Sequence, residues 1–361
     1  MKNAIKIASL LLIVCLVVSV CACAPTSEPT AAVTAVGEVK NVILFIGDGM
    51  GDNHIANCKT MFDLESLPFE ADLWGHVSTR ALNDPITDSA AAATAMATGQ
   101  KVNREEVAYH DGKDLTLITS LAKQAGYKVG IVTTDVLNGA TPSGFSAHAK
   151  NRDNRRDIIN SQLASGIDLF IGESTSTDMY RTTYRQSFED KGYAFATDWE
   201  GMQAAKDEDK LIATLDNVRS DYGDGRDDHV QLDDLVRFAH EFLENDKGYF
   251  LMVESAHIDK YSSDLDLDNT LYEVRTLFDA VQVAYDLAEG DTAVIVTADH
   301  ETGSLEKAES KKDLTNDLYG QDYHSDADVP LYIHNFTLTA EGTVIENTQI
   351  FHICKQLLGI E

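Results

Sequence analysis

Three apolar runs in this chain end in carboxylates, and that pattern confines it to an open α/β architecture. Residues 41–46 read as a buried strand closed by Asp48 between Gly47 and Gly49. Residues 293–298 repeat the design and close on Asp299 and His300. Residues 249–253 lead into Glu254, with His257, Asp259 and Lys260 shortly after. Near-continuous apolar strands belong to parallel sheets covered on both faces, and ligands of such sheets gather beyond the strands' carboxyl ends. One such ending could be a solvated turn. Three of them call for a cation, because clustered carboxylates repel unless a positive charge neutralises them.

Residues 87–99 add a serine to this set. Alanine is the best helix former and glycine just past the last turn is the usual stop, so 90–98 is predicted helical, ending at Gly99. Ser89 then lies among the unpaired N–H groups of the first turn, where the helix dipole favours negative charge. That position suits a serine alkoxide or the phosphate of a covalent intermediate. The competing reading makes Asp88 or Ser89 an ordinary N-cap. The neighbouring acid-ended strands favour the nucleophile.

The rest of the chain alternates helix and strand. An amphipathic helix over 115–125 feeds a strand over 128–134, and 168–172 reads as another strand. Helices over 232–245 and 267–288 lead into the strands that carry Glu254 and Asp299. This order predicts a doubly wound α/β fold whose central sheet is mostly parallel, with helices on both faces. The span 38–361, about 325 residues, is long enough for one large domain. Within it, 174–234 has weak periodicity and reads as an insertion near the active site. No internal repeat is present.

The N-terminus reads as an export signal. A short basic start with Lys2 and Lys6 precedes an apolar run over 7–20, and Val20-Cys21-Ala22-Cys23 fits a lipobox. Residues 1–22 are therefore a lipoprotein signal peptide, too short and too small-residue-rich at its end for a permanent span. Cleavage before Cys23 would leave a lipid-anchored, extracytoplasmic protein; a non-lipidated secreted product is the alternative. Residues 23–37, rich in Pro, Ser, Thr and Ala, read as a flexible tether. Cys58 and Cys354 read as separate thiols, Cys354 within an apolar helical run, although a pairing stays open. The formal net charge is −30, which argues against nucleic acid as a partner and repels anions except where local cations reverse the field. Much of the acid lies in 207–209 and 221–234; the latter has a faint calcium-loop pattern but reads better as a solvated loop.

From about Val39 onward, these motifs and their order resemble the bacterial alkaline phosphatase family. The resemblance implies a metal-dependent phosphate monoester hydrolase with two zinc ions and one magnesium ion, acting through a phosphoserine at Ser89. By position, Asp48, Asp299 and His300 resemble the ligands of the zinc that activates the serine, with Ser89 itself joining them. Asp259 and His324 resemble ligands of the zinc that serves the leaving group. Asp48, Thr141 and Glu254 resemble the magnesium ligands. Arg152 and Lys260 resemble the phosphate-binding pair. The chemistry asks for such groups: two metals about 4 Å apart can clamp the attacking and departing oxygens of an in-line displacement. A planar guanidinium can hold two phosphoryl oxygens, as a lysine cannot. A mixed His and Asp set suits zinc, whereas an oxygen-only set suits magnesium.

Two positions depart from the family pattern. Ser263 stands where the leaving-group zinc normally has a histidine, so Asp259 and His324 are left with Asp264 or His257 as candidate substitutes. Gly139 stands where relatives often carry an acid or a histidine beside the magnesium, which leaves that shell to water. The first departure keeps open a weakly active or inactive phosphate- or metal-binding lipoprotein. A phosphodiesterase or sulfatase of the same superfamily is a further alternative. Small phosphate monoesters are the expected partners, membrane contact is expected through the lipid alone, and a homodimer is compatible with the reading.

Overall fold

A computed structural model of the chain describes residues 31–67, 69–216, 218, 230–288 and 290–360. The first apolar run forms the strand Asn41–Gly47, in which Val42 through Ile46 have no solvent exposure. Residues that alternate in direction are all buried, so both faces of the strand are covered. It pairs in parallel with Tyr249–Ser255 on one side and Thr292–Thr297 on the other. Beyond Tyr249–Ser255 the sheet continues in parallel through Lys128–Thr133, Leu169–Glu173, Leu211–Leu215 and Ala194–Ala196. On the opposite side Val329–His334 runs antiparallel, followed by Leu73–Ser78 and Val344–Glu346. The expected α/β architecture is present, as one mostly parallel sheet of ten strands.

Register puts the strand ends level. Gly47 pairs with Ser255, and Ile46 with Thr297, so Asp48, Glu254 and Asp299 emerge at one edge. The flanking helices are held by apolar stripes. Leu232–Leu243 buries Leu235, Val236, Ala239, Phe242 and Leu243, and Leu267–Leu287 buries Leu271, Val274, Phe278 and Val281. Both sets follow the three- and four-residue spacing of one helical face.

The serine helix, Ser89–Thr98, is different: every residue in it is buried. Its alanines let the short helix Ala140–Ser146 approach closely. A Cβ added at Gly144 would lie 2.6 Å from Ala93 Cβ and 3.1 Å from the backbone of Ala93 and Thr94. This contact positions the helix carrying Ser89 against the one carrying Thr141.

Three expectations change. The tether does not extend to residue 37, because Ala32–Ala35 forms a strand antiparallel to Phe336–Thr339. Gln349 and Gln356 hold it, accepting from the Ala31 and Val33 N–H groups at 3.0 and 3.1 Å. Four residues with one large apolar side chain (Val33) do not read as a strand; the partner edge makes them one. The stretch 174–234 is not set apart as an insertion, since Ala194–Ala196 and Leu211–Leu215 complete the sheet's edge. Those strands are too short for their periodicity to register. The 115–125 helix is shorter, Ile118–Gln124. Cys58 and Cys354 are separate buried thiols, as expected. The signal and lipobox, Cys23 included, and 221–229 of the acidic loop lie outside the described residues. No described helix is long and apolar enough to cross a membrane.

Overpacking a tight helix contact costs about 1–3 kcal/mol. Gly144→Val should therefore lower unfolding stability by about that amount. Urea denaturation of the variant beside the parent checks this, and an unchanged midpoint would show that the two helices can separate freely.

Candidate active site

Asp88 caps the serine helix: its Oδ1 accepts from Ala91 N–H at 3.1 Å, while Gly99, at φ +71°, ends the helix. Capping by Asp88 leaves the Ser89 hydroxyl free for chemistry. Ser89 Oγ lies 3.2 Å from His300 Nε2. That same nitrogen is 3.4 Å from Asp48 Oδ1 and 3.3 Å from Asp299 Oδ2.

A turn built on glycine brings the second half of the site close. Gly49 has φ +81°, and a Cβ there would sit 2.8 Å from Asp259 Cα. Asp259 is held in the first turn of the helix His257–Ser263. Its Oδ1 is 3.4 Å from His324 Nε2. The His300 and His324 rings stack with centroids 3.5 Å apart. Two groups of donor atoms result, Asp48–Asp299–His300 and Asp259–His300–His324, each spanning no more than 4.8 Å.

Hydrogen bonds fix both imidazoles. His324 Nδ1 is 2.9 Å from the Thr87 carbonyl, which can only accept, so Nδ1 carries the proton. Thr302 Oγ1 donates to Asp259 Oδ1 at 2.5 Å and lies 3.3 Å from His300 Nδ1. With its one proton committed to Asp259, the hydroxyl accepts from His300 Nδ1–H, which leaves the Nε2 lone pair facing Ser89 and the two aspartates. Sequence reasoning missed Thr302. It stands two residues after His300, and nothing in its local pattern marks it.

The electrostatics are those of a site that requires a cation. Burial, then the charges of Asp299, Asp259 and Glu254, pushes Asp48 well above the usual carboxylate range. Burial and Asp259 raise Asp299 to about 6; burial and Asp135 raise Glu254 to about 8. Burial, reinforced by His324, holds His300 neutral with its pKa down to about 3. Asp259 goes the other way: burial opposes, but His324, His300 and Thr302 hold it below the usual range. Asp299 Oδ1 accepts from the Gly49 and His300 N–H groups, whereas Asp299 Oδ2 and Asp48 Oδ1 are buried without a hydrogen-bond partner. Buried polar atoms are almost always satisfied. The Asp48 and Asp299 oxygens lie within 3.4 Å of His300 Nε2, and that nitrogen-and-oxygen set suits zinc; Asp48, Thr141 and Glu254 offer oxygen alone, the donor type magnesium takes.

Arg152 Nη1 donates to Asp88 Oδ2 at 3.0 Å, so the helix cap also orients the guanidinium beside Ser89. Asp88, together with Asp48 and Asp299, outweighs burial and raises the Arg152 pKa. Lys260 Nζ donates to Asp135 Oδ1 at 2.6 Å.

The sequence model described as alkaline phosphatase matches residues 39–179 and 174–349. The chain belongs to the alkaline phosphatase family. Alkaline phosphatase 4 of Bacillus subtilis (strain 168) is 33% identical over 301 residues, covering 78% of this chain and 65% of that protein. Alkaline phosphatase 3 of the same organism is 33% identical over 286 residues, 74% of this chain and 62% of that one. The chain thus spans less than two thirds of these relatives. The alkaline phosphatase from the Antarctic bacterium TAB5 superposes with a TM-score of 0.77 at 25% identity, covering 90% of this chain and 99% of that one. A variant of that enzyme, 24% identical to this chain, holds magnesium.

For this alkaline phosphatase family member, the geometry answers both departures. Neither candidate substitute for the histidine missing at Ser263 joins Asp259. Asp264 is exposed, and His257 Nε2 faces Glu173 Oε2 at 3.7 Å. His300 lies with Asp259 and His324 instead. At Gly139 the expectation of water alone is corrected. A Cβ there would lie 2.7 Å from Asp135 Oδ2, so an acid from four residues upstream fills the space of the missing side chain. Asp135 N–H donates to Thr133 Oγ1 at 2.8 Å, and the Thr133 hydroxyl donates to Glu254.

The pKa shifts set a pH test. Asp48 and Glu254 stay protonated in the metal-free fold at pH values where the unfolded chain has released those protons. Their stabilising contribution is therefore lost as pH rises toward the folded values. His54 and His300, depressed to about 4 and about 3, act oppositely only below the ordinary histidine range. Chelated protein should therefore lose thermal stability between about pH 7 and pH 8, and zinc plus magnesium should abolish the loss. A metal-free melting temperature that rises over this window would refute the description of the site.

Proposed function

We propose that this protein hydrolyses phosphate monoesters through a phosphoserine at Ser89. The observation that carries the reading is Ser89 Oγ, 3.2 Å from an imidazole shared by two carboxylate–histidine groups, at the N-terminus of a buried helix. Asp48, Asp299 and His300 would hold one zinc, Asp259 and His324 a second, and Asp48, Thr141 and Glu254 a magnesium. Bound there, the metals supply a lowered pKa for a coordinated oxygen and neutralise charge on the attacking and departing oxygens.

The chain's own groups do the rest. Arg152, steadied by Asp88, holds two phosphoryl oxygens with its planar fork. Unpaired N–H groups of the first helical turn stabilise added negative charge at Ser89. Ser89 Oγ bonds to phosphorus as the alcohol departs, and water then releases inorganic phosphate. His300 is too weak a base to be the proton acceptor, so it serves as a ligand. Lys260, charged beside Asp135, adds positive potential on the phosphate side. The apolar run over 7–20 and Ala22-Cys23 support an extracytoplasmic protein anchored by lipid on Cys23.

Ser89→Ala should reduce aryl phosphate turnover by about a thousandfold or more while metal content and melting temperature persist. Steady-state kinetics with metal analysis checks this; near-parental turnover would remove the covalent route.

Ser263 favours a second reading, a weakly active binding protein, because Asp259 and His324 alone fall short of the three protein ligands zinc usually has. Ser263→His should tighten the second zinc and raise turnover, most for poor leaving groups. Zinc stoichiometry and rate across a free-zinc titration decide it. Two tight zinc ions in the parent, with no gain from histidine, would show that the site is complete without it.

A further inference from the structure

We infer that the phosphate side of this site opens into an anion subsite, so that the preferred monoesters carry a second negative group on the alcohol; this rests on the phosphomonoesterase reading above. A cavity of about 410 Å³ adjoins Arg152 and Lys260 and reaches Arg155, Asn138 and Thr177. That volume is in the range of small-molecule sites. Arg152 and Lys260 are already engaged, by Asp88 and Asp135. Arg155 is not. Its guanidinium is exposed and, among the described residues, has no ion pair or hydrogen bond.

Asn138 supplies a second, independent observation. It is 8% exposed, lines this cavity and the smaller one beside it, and its carboxamide has no hydrogen-bond partner among the described residues. An amide held in a residue only 8% exposed and left unpaired at a cavity wall is placed to donate to a ligand. Arg155 also opens the helix Arg155–Ser165, whose N-cap, Asn154, makes no side-chain cap, so positive helix-end potential points the same way. The lining carries Arg152, Arg155 and Lys260 against Asp135 and Asp153. On a chain of net charge −30, this is a local reversal of sign. An ester gripped at its phosphoryl group by Arg152 can extend into this cavity, where a carboxylate or a second phosphate would meet Arg155 and Asn138.

The test compares 4-carboxyphenyl phosphate with 4-carbamoylphenyl phosphate on zinc- and magnesium-loaded full chain. The ratio of kcat/KM values is measured for the parent, Arg155→Ala and Arg155→Glu; comparing ratios cancels the difference in leaving group. Arg155→Ala should lower kcat/KM for the carboxylated ester about three- to tenfold and leave the carbamoyl ester within about twofold. Arg155→Glu should lower it further. Calorimetric titration with the two matching phosphonates should show the same Arg155-dependent preference for the carboxylate. An identical ratio in all three proteins would overturn the subsite while leaving the phosphatase reading intact. If the parent turns over neither ester, the phosphatase reading falls, and the phosphonate titration still decides whether Arg155 binds the second anion.

Discussion

Mutual repulsion among Asp48, Asp299 and Glu254 is the constraint on which this structure depends. Three adjacent parallel strands, buried on both faces, end level and deliver these carboxylates into one protein-lined space. The apolar strands cannot be covered without burying the acids that follow them. Three charged carboxylates cannot share so small a buried volume in the absence of compensating positive charge. Burial first, and then neighbouring carboxylates that include Asp259 and Asp135, raises the pKa values of all three, and orphaned oxygens at Asp48 and Asp299 show where a cation would relieve the cost.

Around that conflict, short polar side chains settle the orientation of everything else. Thr302 ties Asp259 to His300 and sets which imidazole nitrogen faces the serine. Thr87 does the same for His324 through its carbonyl. Asp88 serves twice, capping the Ser89 helix with one oxygen and holding Arg152 with the other. Removing its carboxylate would therefore disturb the helix start and the placement of Arg152 together. The cap reading of residues 88–89 thus falls to Asp88, which leaves the Ser89 hydroxyl out of the cap.

Charge acts on two scales. The chain as a whole is strongly acidic and disfavours anions. Arg152, Lys260 and Arg155 nevertheless gather at one cavity, a local concentration of positive charge on an acidic chain.

Much of this was legible in the linear chain. Asp48, Glu254 and Asp299 follow strong apolar runs, and the serine helix has an alanine body with a glycine stop; such signals are local, and burial only reinforces them. The strand at Ala32–Ala35 and the sheet edge made by Ala194–Ala196 and Leu211–Leu215 were not legible, because segments so short become strands only when a partner edge takes up their backbone hydrogen bonds. The same holds in the site. Residue type singled out His300, Asp259 and Arg152 as candidates, but the Asp88–Arg152 pair joins residues 64 positions apart and the Thr302–Asp259 bond residues 43 apart. The sequence by itself determined which residues have the chemistry. Only tertiary packing decided which of their atoms face one another, because that depends on strand register and helix contacts between distant segments.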